Sequence, residues 1–315
     1  MVLVRVIVIG AGVSGLSSAI RLLEAGQDVE IVAREAPAQT TSAVAAAIWY
    51  PYRAAPAERM LTWGSATYRE LERLAAVPET GAVMREGVEL FREPAPDPWW
   101  AATVSGFRHA RPDELPEGFA DGYRMRLPVA DMSIYLGWLE REVLRLGGRI
   151  TRRTVERIAD LADTAEVVVN CAGLGARELV GDRSLFGVRG QVSVVDAPDV
   201  SRFVFDQSAM TVVIPRVSDV VIGVTAEEQV EEVAVDPSVA TALRTRAAQL
   251  VPTLATARVL ADRAGIRPCR PTIRLEREVV DGLPLVHNYG HGGAGVTLSW
   301  GCANEVARLV TGRAT

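Results

Sequence analysis

The sequence predicts an α/β fold of two interleaved parts, and three observations predict it. First, residues 4–9 form a run apolar except for Arg5 that leads straight into Gly10-Ala11-Gly12-Val13-Ser14-Gly15, then an amphipathic stretch over 16–25 and a second mainly apolar run over 29–32. Strand, glycine turn, helix and strand in that order make a dinucleotide-binding unit. Second, residues 165–170 form a buried-type strand that runs into Cys171-Ala172-Gly173-Leu174-Gly175. Third, the chain closes on a glycine-rich unit, residues 287–295, followed by a helical pattern. Glycine turns at the start, middle and end imply that one part is assembled from discontinuous pieces. The expected architecture is therefore a Rossmann-like domain formed by residues 1–47, 136–187 and 281–315. Interleaved with it is an α+β domain on a mixed sheet, formed by residues 48–135 and 188–280.

Each element has its own warrant. Gly10 permits the tight turn, Gly12 lets backbone approach a diphosphate, and Gly15 lets helix and strand pack closely. The free N–H groups of Val13 and Ser14 open the helix and favour an anion there. Residues 57–75 have a helical period; residues 82–126 hold Pro94, Pro96, Pro98, Pro112 and Pro116 and read as a turn-rich excursion. A helix is expected over 135–146 and a short strand over 149–154. From 188 to 224 the apolar period shortens to that of strands, centred near 190–195, 211–216 and 219–225. A helix over 238–250, a strand over 272–278 and a final helix over 302–311 complete the chain.

Composition excludes several chemistries. The 315 residues carry a net charge of -5 without a long block of either sign, which argues against a nucleic-acid partner. No run of apolar residues is long enough to span a membrane, and an N-terminal strand that carries the nucleotide turn is not expected to be a cleaved signal. Cys171, Cys269 and Cys302 are odd in number and widely spaced, so a reducing, cytoplasmic setting is expected. His287 and His291 lack a third ligand nearby, and no metal is expected. All 34 basic residues are arginine. A lysine Schiff base and a Gly-Lys-Ser/Thr phosphate loop are thus unavailable.

The nucleotide is less directly written. Arg34, at the end of the second strand, suits a 2′-phosphate, favouring NADP, or the adenosine part of FAD. The terminal glycine loop tips the reading toward a flavin, whose reduced ring its N–H groups and helix dipole would stabilise. The loop Asp97-Pro98-Trp99-Trp100 is a candidate subunit contact for a homodimer.

Two segments carry a more specific signal: Arg267-Pro268-Cys269-Arg270-Pro271-Thr272-Ile273-Arg274-Leu275-Glu276 and His287-Asn288-Tyr289-Gly290-His291-Gly292-Gly293. With Trp49-Tyr50-Pro51-Tyr52 and Arg189-Gly190-Gln191, they make the chain resemble the D-amino-acid oxidases, FAD enzymes of the glutathione-reductase-like group, over nearly its whole length. The resemblance implies noncovalent FAD held by Gly10, Gly12, Val13, Ser14, Gly15, Arg34, Thr40, Thr41, Ser42 and Gly173. It adds Gly292, Gly293, Gly295, Val296 and Thr297 along the flavin edge. Arg274 matches the arginine that holds the substrate carboxylate, and the Gly293 carbonyl matches the acceptor of the substrate amine. Arg270 is a candidate for cofactor contact or for pairing with an acidic side chain.

The implied reaction is oxidation of a neutral D-amino acid by dioxygen, with hydride passing from Cα to flavin N5 and no side chain acting as acid or base. The products are a 2-oxo acid, ammonia and hydrogen peroxide. One departure stands out. The stretch from Phe205 to Pro215 is short and holds no tyrosine, so Met210 and Val212 are expected at the substrate. Tyr50 or Tyr289 is left to supply the missing hydroxyl, and Arg216 is the candidate reader of an acidic side chain. The alternatives are an oxidase of glycine or N-methyl amino acids and an NADP-dependent reductase. The lack of a lysine for oxygen activation weighs against the sarcosine-oxidase-like branch.

Overall fold

The computed structural model describes residues 3–51 and 55–312; Tyr52 lies outside the described residues. The chain runs β1 (Arg5–Ile9), α1 (Val13–Glu24), β2 (Asp28–Ala33), α2 (Ala57–Leu74), β3 (Ala82–Phe91), β4 (Arg108–His109), β5 (Asp121–Ala130), α3 (Met132–Arg145), β6 (Arg149–Arg152) and β7 (Val167–Asn170). It continues α4 (Ala176–Leu179), β8 (Phe186–Asp196), β9 (Phe203–Asp206), β10 (Thr211–Pro215), β11 (Val220–Gly223), β12 (Glu227–Glu228), α5 (Pro237–Leu250), β13 (Arg258–Val280), β14 (Leu283–His291) and α6 (Gly295–Thr311).

One sheet holds these strands in the order β4-β5-β3-β9-β10-β11-β8-β13-β14-β7-β1-β2-β6, with β12 paired to β8. From β14 to β6 every pairing is parallel. Parallel strands covered on both faces read as continuous apolar runs, and β1 and β7 do so. Val6 and Val8 join the large core that includes Leu16 and Ile20 of α1, whereas Ile7, Ile9 and Val168 face a second core with Ile158 and Leu285. The helices α1, α3 and α6 pack against one another. From β13 to β4 the pairings are antiparallel except β3 with β9. This gives a mixed sheet of a parallel and a mostly antiparallel half, and α5 covers β8, β10 and β11.

The strand β13 joins the halves. Over Arg258 to Cys269 it pairs with β8, and from Arg274 to Val280 with β14; the register shifts between Cys269 and Arg274. Pro268 precedes that shift and Pro271 lies within it, and proline, which lacks the ladder's donor, is found at such irregularities. The pair Cys269–His291 closes the junction.

The structure corrects three expectations. Residues 82–126 are more than an excursion, because β3 and most of β5 lie there as a ten-residue antiparallel pair. Charged residues and glycines break the alternation of this pair, which hides it in the sequence. The strand expected over 272–278 is the tail of a 23-residue one, and α6 starts at Gly295, before the expected 302. No helix among the described residues is long and apolar enough to cross a membrane.

Candidate active site

At the carboxyl ends of β1, β2, β6, β7 and β14 a cavity of about 1010 Å³ opens and continues under β8, β10 and β13. Ligands of open α/β sheets bind at this edge. At one end lie Gly10, Gly12, Val13, Ser14, Arg34, Thr40, Thr41 and Ser42, joined by Glu35 and Arg153. Gly10 sits at φ +106°, and a Cβ there would meet the Cys171 carbonyl oxygen at 2.4 Å. Gly15 does not line the cavity; a Cβ there would stand 1.9 Å from the Gly10 oxygen, so its role is close packing beneath the turn. The Val13 N–H donates to Ser42 Oγ (3.0 Å), which ties the hydroxyl-rich loop to the helix start. Arg34 is exposed and pairs with Glu35 at 3.0 Å.

The middle of the cavity is formed by Gly173, Gly292, Gly293, Gly295 and Val296, with His291 beside them. His291 is 5% exposed, and its Nε2 finds no partner among the described residues. Burial pulls its imidazole down to about 4, so it is neutral at physiological pH. Thr297 does not line the cavity; it is buried, accepts from the Tyr50 N–H and donates to the Tyr50 carbonyl (3.1 and 2.9 Å).

The far end is walled by Tyr50, Phe205, Gln207, Met210, Val212 and Ile214, with Arg267 opposite Gly190. A Cβ on Gly190 would meet the Arg267 guanidinium nitrogens at 2.3 and 2.4 Å, so the missing side chain is what seats the cation against the wall. Its Nη1 donates to the Thr225 carbonyl (3.0 Å).

Arg274, the arginine expected here, is absent from this wall. Its Nε pairs with Glu276 (2.7 Å) and its Nη2 with Glu278 (3.0 Å), while Nη1 donates to the Tyr289 hydroxyl (3.1 Å). Glu276 and Glu278 lie two and four residues further along β13, on the same face as Arg274, and engage its guanidinium there. Arg270 is likewise outside the cavity and pairs with Asp182 at 2.9 Å. Burial opposes ionisation of Asp182, but hydrogen bonds from Ser184, Tyr289 and Arg270 hold it well below the usual carboxylate range.

Neither replacement tyrosine has a hydroxyl to spare. Tyr289 donates to Asp182 (2.8 Å) and Tyr50 to Glu89 (2.7 Å). Arg216 is also corrected: it is buried, clasped by both oxygens of Asp219 at 2.6 Å, and lies outside the cavity. In the loop proposed as a subunit contact, Trp99 is exposed and Trp100 buried among aromatic rings.

Sequence reasoning missed Arg267, although it is the first arginine of the quoted Arg-Pro-Cys-Arg segment, because strand pairing decides which of three arginines faces inward. The signal was Gly190, a strand glycine that leaves room for a neighbour.

The residues present fit a flavin dinucleotide. The glycine turn at the α1 N-terminus offers backbone N–H groups to a diphosphate. A Cβ on Gly12 would crowd Ser42 Oγ at 3.1 Å within that cradle. The orphaned His291 Nε2 marks a polar contact left unmade among the described residues.

Comparison with known proteins agrees with this geometry. The family model described as FAD dependent oxidoreductase matches residues 5–309. A D-amino-acid oxidase of Rubrobacter xylanophilus is 51% identical over 313 residues, 98% of this chain and 96% of that protein. The D-aspartate oxidase of Homo sapiens is 35% identical over 322 residues, 98% of this chain and 94% of that one. The crystal structure of glycine oxidase from Bacillus cereus superposes with a TM-score of 0.79 at 19% identity, covering 98% of this chain and 95% of that one, a likeness of fold. With a glycine cradle, an arginine-walled cavity and a match that runs almost from end to end, the chain belongs to the FAD dependent oxidoreductase family.

Proposed function

We propose that the protein is an FAD-dependent oxidase of neutral D-amino acids, and that Arg267 rather than Arg274 holds the substrate carboxylate. The observation that carries the reading is the Arg267 guanidinium set in the wall of the same cavity as the Gly292–Gly293 backbone. A guanidinium binds a carboxylate through two parallel hydrogen bonds, which fixes orientation as well as charge. The Gly293 carbonyl accepts a hydrogen bond from the substrate amine, and these two anchors together with the apolar wall, which fixes the direction of the side chain, select the chirality of Cα. Phe205, Met210, Val212 and Ile214 surround the side chain and exclude water. FAD, held by the glycine turn and the Gly292–Val296 backbone, would supply the two-electron oxidation at Cα, with dioxygen as the final electron acceptor. Hydrolysis of the imino acid then gives a 2-oxo acid and ammonia, with hydrogen peroxide as the other product. Bound as the neutral amine, the substrate needs no side-chain base, and the protein contributes orientation and electrostatics.

In this reading residues 1–47, 136–187 and 281–315 hold the cofactor, supported by the parallel strands that fall within them. Residues 48–135 and 188–280 hold the substrate. The buried thiols of Cys171 and Cys302 support a cytoplasmic setting, and the exposed Trp99 supports a homodimer contact.

Purified protein should be yellow and should release peroxide with D- but not L-amino acids. Medium and large apolar substrates should lead a kcat/KM panel, since each buried CH₂ contributes about 0.8 kcal/mol. D-aspartate or glycine at the top would overturn the pocket assignment. FAD should be noncovalent, because no cysteine or histidine has an evident reason to attach the ring. Acid denaturation should release all flavin to the supernatant; flavin retained in the pellet contradicts this.

A further inference from the structure

Glu89, on β3, has no contact with the cavity, yet it is fully buried and holds two residues that do. Its Oε1 accepts from the Tyr50 hydroxyl at 2.7 Å and from the Gln207 side-chain amide. The same amide nitrogen also donates to the Tyr50 oxygen at 3.2 Å. The Gln207 amide and the Tyr50 O–H are therefore both engaged inside one three-residue knot. Glu89 Oε2 finds no partner among the described residues. Burial pushes this carboxyl upward, outweighing the hydrogen bonds from Gln207 and Tyr50 that favour its ionised form.

Placement makes the knot consequential. Glu89 pairs with Phe205 across the β3–β9 ladder, and Gln207 follows β9 in the exposed turn that leads to Met210. The Tyr50 ring packs edge-on against Phe205 with centroids 5.5 Å apart. At this end of the cavity, Tyr50, Gln207 and Arg267 are the wall residues whose side chains carry hydrogen-bond donors. Asp206, the other polar wall residue, only accepts, and it is engaged with Ser208 and Arg92.

We propose that Glu89 is a specificity-positioning residue: by holding the donors of Tyr50 and Gln207, it turns a polar wall into one that offers nothing to an acceptor on the substrate side chain. The consequence is discrimination against side chains ending in a carboxylate or amide, whose lost hydration goes uncompensated. Apolar side chains lose nothing. The inference rests on the D-amino-acid oxidase reading above.

The test uses two inert carboxylic acids, glutarate and 4-methylpentanoate, titrated into the flavin-loaded enzyme and followed by perturbation of the flavin spectrum. Both offer one carboxylate to Arg267; only glutarate presents a second at the far end. Glu89→Leu frees the two donors and should raise the affinity for glutarate relative to 4-methylpentanoate by about tenfold, the scale of a hydrogen bond to a charged group. Glu89→Gln keeps an acceptor for both donors and should keep the wild-type ratio. An unchanged ratio in folded Glu89→Leu overturns the proposal, and so does an equal rise in Glu89→Gln. If Glu89→Leu does not fold, Gln207→Met in the exposed turn decides. Its amide being spent, the ratio should hold, and a selective fall in glutarate affinity would show that the amide already serves the ligand. Turnover of D-leucine by the wild type is read separately; its absence would sink the oxidase reading, while the binding ratio would still judge the knot.

Discussion

Arg267→Ala is expected to lower kcat/KM for the best D-amino acid by between about thirtyfold and a few thousandfold while flavin content stays at the wild-type level. Truncating one partner of a buried charge pair costs about 2–5 kcal/mol, and here the group left unpaired is the substrate carboxylate. Arg267→Lys should recover little, because a point charge replaces a two-pronged donor. The companion variant Arg274→Ala separates the two candidate clamps. It strips Glu276, Glu278 and the Tyr289 hydroxyl of a shared partner, so its effect should fall on the melting temperature, with kcat/KM largely retained. The opposite pattern, an inactive Arg274→Ala beside an active Arg267→Ala, would return the role to Arg274.

Gly10→Ala is expected to give protein that binds no flavin or does not accumulate in soluble form. The new methyl would lie 2.4 Å from the Cys171 carbonyl oxygen, on a backbone at φ +106° that L side chains rarely adopt. Backbone strain of about 1–3 kcal/mol and overpacking of a similar size act together. Both fall on the turn that carries the diphosphate cradle, so the flavin-to-protein absorbance ratio reads the damage directly. A variant with wild-type flavin content and melting temperature would show that the turn relaxes without loss.

The local parts of this fold were legible in the sequence and the non-local parts were not. A glycine turn between strand and helix is written within a dozen residues, and Gly10, Gly12, Thr40, Thr41, Ser42, Gly292 and Gly293 all line the cavity. Arg267 and Arg274 stand seven residues apart in one segment, and choosing between them needs the register of β13 against β8 and β14. No local pattern records that register. Glu89 was passed over because a charged residue in a strand ordinarily marks a solvent face, whereas here it lies behind the cavity wall. The absence of tyrosine from residues 205–215 was plain in the sequence, and the structure gives it form as a four-residue turn between β9 and β10. That turn is tied down by Gln207 rather than by an aromatic lid.

The long strand β13 also constrains how substrate enters. Arg267 lies two residues before Cys269, Cys269 pairs with His291, and His291 leads directly into Gly292 and Gly293. The proposed carboxylate clamp on β13 and the proposed amine acceptor, two residues past the end of β14, are thus joined through a directly paired ladder, with no linker between them. Opening the site by swinging one half of the molecule away from the other would tear this ladder. Admission of substrate therefore falls to local movement, and the exposed turn from Gln207 to Met210 is the segment of the wall placed to provide it. The reacting geometry is held by the scaffold before substrate arrives, so rates in this enzyme should follow the fit of the side chain more than any closing of domains.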